Sequence, residues 1–323
     1  MKPPYRLYGA ELSPYSIKVR AYLRWKGIEH EWIPRSAARQ AEFARYAKLP
    51  LIPLLVDANE QAMQDSTPII AALEAAHPDP RLTPEDGALA FVAALIEDYA
   101  DEWLNKAMFH YRWAYEADQA SAARRIAALM VGEGGAALEA SIRERMIGRL
   151  HFVGSTPETG PRIEASYLRL LAILEALLAD RPYCLGGRPT LADFGLYGQL
   201  AELLSDPTPG ALMRERAPRV AAWVEAMDRP AGRGPLETWA VLAPALAPLL
   251  GEIGRVYQPW MAANAAAVSA GAEIMNAEIE GAPFTQAPQK YAARAWGEIG
   301  RQRALIADPR LEDVLAAAGI QLS

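Results

Sequence analysis

Cysteine, histidine and phenylalanine are scarce in this 323-residue chain, which has one Cys, four His and six Phe. With Cys184 alone, no intrachain disulfide can form and no thiolate-rich metal site can be built. His30, His77, His110 and His151 show no ligand spacing, so no metal is expected. No uninterrupted apolar run reaches the roughly 20 residues that a membrane-spanning helix requires. The nearest approach, Thr238 to Gly251, contains Pro244 and Pro248 and lies between Glu237 and Glu252, so no membrane partner is expected. Basic runs and basic–aromatic alternation are missing too, which removes the usual footprint of a nucleic-acid binder. Behind Met1-Lys2-Pro3-Pro4 there is no apolar signal-peptide core, and a cytoplasmic location is the expectation.

What is present describes a globular protein. Apolar residues make up 51% and charged residues 22%, over a length that accommodates two domains or more. The charge is unevenly placed: residues 1–80 hold 10 Lys/Arg against 9 Asp/Glu, and the remainder 23 against 30. The N-terminal part is therefore the less hostile one for an anionic ligand.

Residues 5 to 76 alternate strand-like and helix-like segments. Tyr5 to Gly9 reads as a strand, Ser16–Lys26 as a helix and Glu29 to Ile33 as a second strand. A helix over 39–47, a strand at Leu54 to Asp57, a short strand at Gln61 to Met63 and a helix from Pro68 to Ala76 complete the set. His77-Pro78-Asp79-Pro80 is a linker in which helix propagation must stop. Beyond it the periodicity is helical throughout, with helices expected at 85–115, 119–149, 161–180, 190–204 and 217–228. Further helices are expected at 235–251, 256–280, 288–306 and 310–318, with no strand among them. Trp239, Trp260 and Trp296 argue that this last part packs on the body.

Ser13-Pro14-Tyr15-Ser16 carries the most chemistry. Ser13 stands where a helix N-cap belongs, Pro14 suits the first helical position, and Gly27 suits the C-terminal cap. A hydroxyl there lies beside unpaired N–H groups and the positive end of a helix dipole, surroundings that favour an anion such as a thiolate. Lys48 to Asp57 (KLPLIPLLVD) is an apolar strand behind a proline-containing loop. Gln64-Asp65-Ser66-Thr67-Pro68 opens another helix with an acidic–hydroxyl pair. Downstream, Thr190 and Asp193 form a capping box, a structural feature.

In this order and spacing the segments resemble cytosolic glutathione transferases of the serine type, bacterial-like and carrying a C-terminal helical extension. The resemblance covers roughly residues 4 to 230. It implies an α/β thioredoxin-like N-terminal domain (1–78) followed by an all-α helical domain (84–230), with the extension (231–323) packed on the body. It further implies glutathione as co-substrate, a small apolar electrophile as second substrate, and a homodimer. Ser13 matches the catalytic serine, with Ser16 and Tyr8 as rival hydroxyls. Ile52 and Pro53 match the family's Val–cis-Pro, and Asp65 and Ser66 the pair that holds the γ-glutamyl end. Tyr99, Trp103 and His110, on the 85–115 helix, would border the electrophile pocket, although an aromatic stripe at that spacing is also how a core is built. Cysteine-type classes carry a thiol where Ser13 stands, so mixed-disulfide chemistry is not expected. Leu51 departs from the Gly that often precedes Val–Pro. That departure and the long extension leave open a non-enzymatic binding or scaffold protein, or a hydrophobic-ligand carrier.

Overall fold

The parallel pairing of β1 (Tyr5–Gly9) with β2 (His30–Pro34) demands a crossover, and α1 (Pro14–Lys26) supplies it. In the computed structural model, which describes residues 4–132 and 135–322, this unit continues through α2 (Gln40–Tyr46), β3 (Leu54–Asp57), β4 (Ala62–Gln64) and α3 (Ser66–Ala76). The strand order is β2-β1-β3-β4, with β3 antiparallel to both its neighbours. Alternation along the strands sends Leu7 and Leu55 into a core shared with α1 and α3, and Tyr8, Ile33, Leu54 and Val56 towards Phe43 of α2. This is the expected thioredoxin-like α/β arrangement. Helix α3 starts at Ser66 rather than Pro68. A proline in the first turn is tolerated because the N–H groups there have no intrahelical partner.

The helical part runs α4 (Gly87–Tyr99), a wider π turn (Ala100–Leu104), α5 (Asn105–Ala114), α6 (Glu116–Val131), α7 (Ala136–Ile147), α8 (Gly160–Leu177), α9 (Leu191–Ser205), α10 (Pro207–Arg216) and α11 (Pro218–Met227). The single helix expected over 119–149 is two helices, because Gly132 at φ 85° ends α6. Helix α10 had no counterpart in the sequence reading; its Pro207 and Pro209 both sit in the first turn. Helix α9 is the hub. Thr190 donates through N–H (2.8 Å) and hydroxyl (2.9 Å) to Asp193, whose other oxygen accepts from the Cys184 N–H at 2.7 Å. Helix α9 approaches α1 so closely that a Cβ at Gly198 would lie 2.7 Å from the Pro14 carbonyl oxygen.

The extension differs most from expectation. Helices α12 (Trp239–Glu252) and α13 (Gln258–Ser269) are joined through a π turn (Ile253–Tyr257) into one 31-residue helix with no break at Gly251. Its mean hydropathy of 1.2 over an 18-residue window makes it long and apolar enough to cross a membrane by length and composition. Here it packs along the protein, with Leu242, Leu246, Leu249, Ile253, Tyr257 and Trp260 fully buried. The helix expected over 256–280 stops at Ser269. A hairpin follows, β5 (Met275–Ile279) and β6 (Ala282–Gln286). Met275 and Ile279 are buried while Asn276 and Glu278 are exposed, a period of two in place of the expected helical one; Ile274 is 60% exposed. Glu280 (φ 54°) and Gly281 (φ 73°) form the two-residue turn, with the positive φ at both positions that a twisted hairpin needs. Helices α14 (Lys290–Ala304) and α15 (Pro309–Ala317) complete the chain. Trp260 and Trp296 are buried and Trp239 is half-buried.

The hairpin covers Lys106 of α5. Its ammonium lies 3.7 Å from the centroid of Trp260 and donates to Gln286 Oε1 at 3.1 Å, with no carboxylate within ion-pair distance among the described residues. Burial pulls the Lys106 pKa down from 10.5 to about 7, against the opposing pull of Glu102. A lysine whose folded-state pKa is lowered holds fewer protons than the unfolded chain between those two values, so its destabilising effect is complete below pH 7 and fades as pH rises. Lys106→Met is therefore expected to be more stable than wild type near neutrality. Its advantage should shrink by up to about 1.4 kcal/mol per pH unit above pH 7. Urea titrations at pH 6.5, 8 and 9.5 check this, and an advantage that grows with pH would contradict it.

Candidate active site

Ser13 caps α1 from an extended backbone conformation (φ −116°, ψ 110°). Its oxygen accepts from the Ser16 backbone N–H at 3.3 Å and from the Ser16 hydroxyl at 2.9 Å. With both lone pairs engaged, the Ser13 proton is left to be donated outward. Ser16 is fully buried beneath it and is the residue that orients it. Tyr8 is buried on the α2 side of the sheet, where its hydroxyl donates to Glu42 at 2.6 Å. Burial, then the Glu42 hydrogen bond, push its pKa upward, so it is no ready source of protons.

The second element is the loop into β3. The Ile52–Pro53 bond is cis. Gln64, the residue before Asp65, holds this loop: its Oε1 accepts from the N–H groups of Lys48 (2.9 Å) and Leu49 (3.1 Å), and its Nε2 donates to the carbonyls of Leu49 (2.8 Å) and Leu51 (2.7 Å).

The third element is the start of α3. Asp65 adopts φ 83°, ψ 131°, a conformation that costs a non-glycine residue about 1–3 kcal/mol and is concentrated at ligand sites. Ser66 follows at the helix N-terminus, 1% exposed, and its Oγ has no hydrogen-bond partner. A buried unpartnered hydroxyl is costly, and beside helix N–H groups it is set to receive an anion.

Ile52, Pro53, Asp65 and Ser66 line one wall of a cleft of about 490 Å³. Tyr15 of α1, Asp101 and Glu102 of the π turn and Asn105 of α5 also line the cleft, as do Gln289, Tyr291 and Arg294 of the extension. Tyr15 donates to the Asp101 carbonyl at 3.0 Å and accepts from Asn105 at 2.7 Å. Beneath the cleft, buried Lys18 of α1 donates to Asp101 Oδ2 at 2.7 Å and to Glu97, while Thr67 donates to Glu97 at 2.5 Å. Burial pushes the Asp101 carboxyl upward, and the Lys18 ammonium opposes that push. Hollows of about 600 and 650 Å³ exist elsewhere, but neither contains a buried, unpartnered serine hydroxyl.

Tyr99, Trp103 and His110, expected beside the electrophile, do not line this cleft. Tyr99 packs against Tyr257, Trp103 donates to Ser166 at 3.0 Å, and His110 lies between Ser155 (2.8 Å) and Glu164 (2.9 Å). Tyr257 and Trp260 of the extension cover Tyr99 and Trp103. Tyr15 was visible within the Ser13–Ser16 motif, whereas nothing local marks Tyr291 or Arg294 as cleft residues. No group of three or more His, Cys, Asp or Glu able to hold a metal occurs among the described residues.

Comparison with known proteins places these features in a family. Residues 7–81 match the glutathione S-transferase N-terminal domain model and residues 137–226 the C-terminal domain model. A zeta-class glutathione S-transferase of Euphorbia esula is 32% identical over 89 residues, 26% of this chain and 39% of the relative, so the match spans well under half of that protein. Among solved structures, a glutathione S-transferase of Methylobacterium radiotolerans in complex with glutathione sulfonate is 26% identical over 72% of this chain and 98% of its own, at a TM-score of 0.45. The β-etherase of a Sphingobium strain is 20% identical over 70% and 95%, with a TM-score of 0.52, and shares the fold. One domain model lies on the strands that carry Ile52–Pro53 and the start of α3, the other on the helices around α9, and the chain belongs to the glutathione S-transferase family.

Proposed function

We propose that the cleft binds glutathione and delivers its sulfur as a thiolate to a small apolar electrophile. The buried, unpartnered Ser66 hydroxyl carries this reading: beside Asp65 it offers an anion acceptor next to a cation acceptor, the pair that a γ-glutamyl end requires. The backbone of Ile52 would pair with the cysteinyl part, leaving the sulfur to be met by the Ser13 proton. A hydroxyl donating to sulfur favours the charged form and shifts the thiol, near pKa 8.5 when free, towards thiolate at neutral pH. In the conjugation step the sulfur lone pair forms a bond to the electrophilic carbon. The electron pair of the bond to the leaving group departs with that group, and the thiol proton has already passed to solvent.

The same reading takes the working form as a cytoplasmic homodimer with glutathione as co-substrate, each subunit holding a thioredoxin-like domain (1–78), an all-helical domain (84–230) and the packed extension (231–323). The uneven charge of the two parts of the chain is compatible with pairing between unlike domains. Calorimetric titration with glutathione tests the site. Wild type is expected to bind, and the Asp65→Ala, Ser66→Ala double variant to lose about 1.5–3 kcal/mol or more of affinity. Equal affinity in the two proteins would refute the γ-glutamyl site. Binding without conjugation across a panel of electrophiles would support a binding protein instead.

A further inference from the structure

Helix α14 brings residues from the far end of the chain onto the γ-glutamyl wall, building on the glutathione reading above. The Tyr291 hydroxyl donates to Asp65 Oδ2. Arg294, one turn further on the same helix face, lines the same cleft as Asp65 and Ser66. Its guanidinium has Asp101 and Glu102 as cleft neighbours, yet it forms no ion pair and no side-chain hydrogen bond among the described residues. It rests instead over the Tyr291 ring, 5.5 Å from the centroid. Helix α14 is firmly placed: Ala292, Trp296 and Ile299 are buried, Trp296 packs edge-on against Tyr257, and Asn264 holds Gln289 through two hydrogen bonds of 2.9 and 2.7 Å. The matched family domains end at residue 226, so this wall lies outside them.

We propose that Arg294, steadied by Tyr291, is a glutathione-binding residue supplied by the extension, pairing with the α-carboxylate of the γ-glutamyl group. That group carries an ammonium and a carboxylate on one carbon. Asp65 answers the ammonium, while the orphaned Ser66 hydroxyl and the α3 N–H groups answer the carboxylate from one side only. Arg294 adds the opposite charge from α14, with a planar fork suited to a carboxylate. Closing the site from two distant parts of the chain makes glutathione affinity depend on a docked extension.

Calorimetry with three thiols on the full chain tests this: glutathione, 4-aminobutyryl-Cys-Gly (no α-carboxylate) and glutaryl-Cys-Gly (no ammonium). Arg294→Gln is expected to weaken glutathione and glutaryl-Cys-Gly by about tenfold or more while leaving 4-aminobutyryl-Cys-Gly within twofold. Arg294→Lys is expected to restore part of the loss, and Tyr291→Phe to give a smaller loss for glutathione. Arg294 is exposed, so melting temperature should be unchanged in its variants. Loss of all three ligands alike, or of none, in Arg294→Gln would overturn the proposal while leaving the glutathione reading intact. Absence of glutathione binding by wild type would overturn both.

Discussion

Replacing Ser13 by alanine is expected to lower the rate of glutathione conjugation by about 10²- to 10³-fold, the usual consequence of removing one donor aimed at developing or resident negative charge. The reason lies in how the hydroxyl is held. Ser16 fills its acceptor sites through N–H and O–H, so the Ser13 proton points to whatever lies outside the helix end. Glutathione affinity should change far less, because Ser13 is not among the residues that line the cleft with Asp65 and Ser66, and the γ-glutamyl contacts are untouched. Ultraviolet titration of the bound thiolate separates the two effects, with the variant needing a higher pH to reach the same thiolate fraction. An unchanged thiolate fraction would show that another group activates the sulfur. Ser16→Ala is expected to fall between wild type and Ser13→Ala, since it frees one acceptor site and loosens the orientation.

Lys18→Met is expected to cost about 3–5 kcal/mol of stability, the range for removing one partner from a buried ion pair. Lys18 is completely buried, and its ammonium is the shared counter-charge of Glu97 and Asp101. Without it, two carboxyl groups remain in a low-dielectric interior, and at least one must take up a proton or drive the helices apart. Urea denaturation measures the loss. Adding Glu97→Gln and Asp101→Asn to the variant is expected to recover much of it, because those changes remove the stranded charges. A single variant as stable as wild type would mean that the network contributes nothing net. The same network links α1, α3 and α4, so the variant should also bind glutathione more weakly by loosening the spacing between Ser13 and Ser66.

Much of the candidate site is written in short stretches of sequence, because it is built from helix ends and turns. Ser13-Pro14 caps and starts α1, and Gly27 ends it at φ 70°. Thr190 and Asp193 close the cap of α9, and Ile52–Pro53 shapes the loop before β3. Each depends on backbone preferences and hydrogen bonds within a few residues, which neighbouring side chains settle by themselves. The family resemblance rested on the same local signals, and for that reason it reached the fold and one wall of the cleft.

What the neighbours do not settle is which face of an element meets which partner. Tyr99, Trp103 and His110 form a helical stripe that suits a pocket wall or a core equally well; helix α12–α13 covers Tyr99 and Trp103, while Ser155 and Glu164 enclose His110. The hairpin at 275–286 was hidden because Met275, Ala277 and Ile279 allow either period until α13 and Phe284 are seen to receive one side. Lys18 becomes a structural cation only when Glu97 and Asp101, 79 and 83 residues away, arrive at its ammonium. Tyr291 reaches Asp65 across 226 residues, a contact with no local signature at either end. Sequence alone therefore determined the helix caps, the strands of the sheet, the family and the residues of one wall, since these follow from local conformational preference. Only the tertiary structure decided the burial of the aromatic stripe, the buried charge network and the wall contributed by α14, because each requires distant segments to exclude water from the same place.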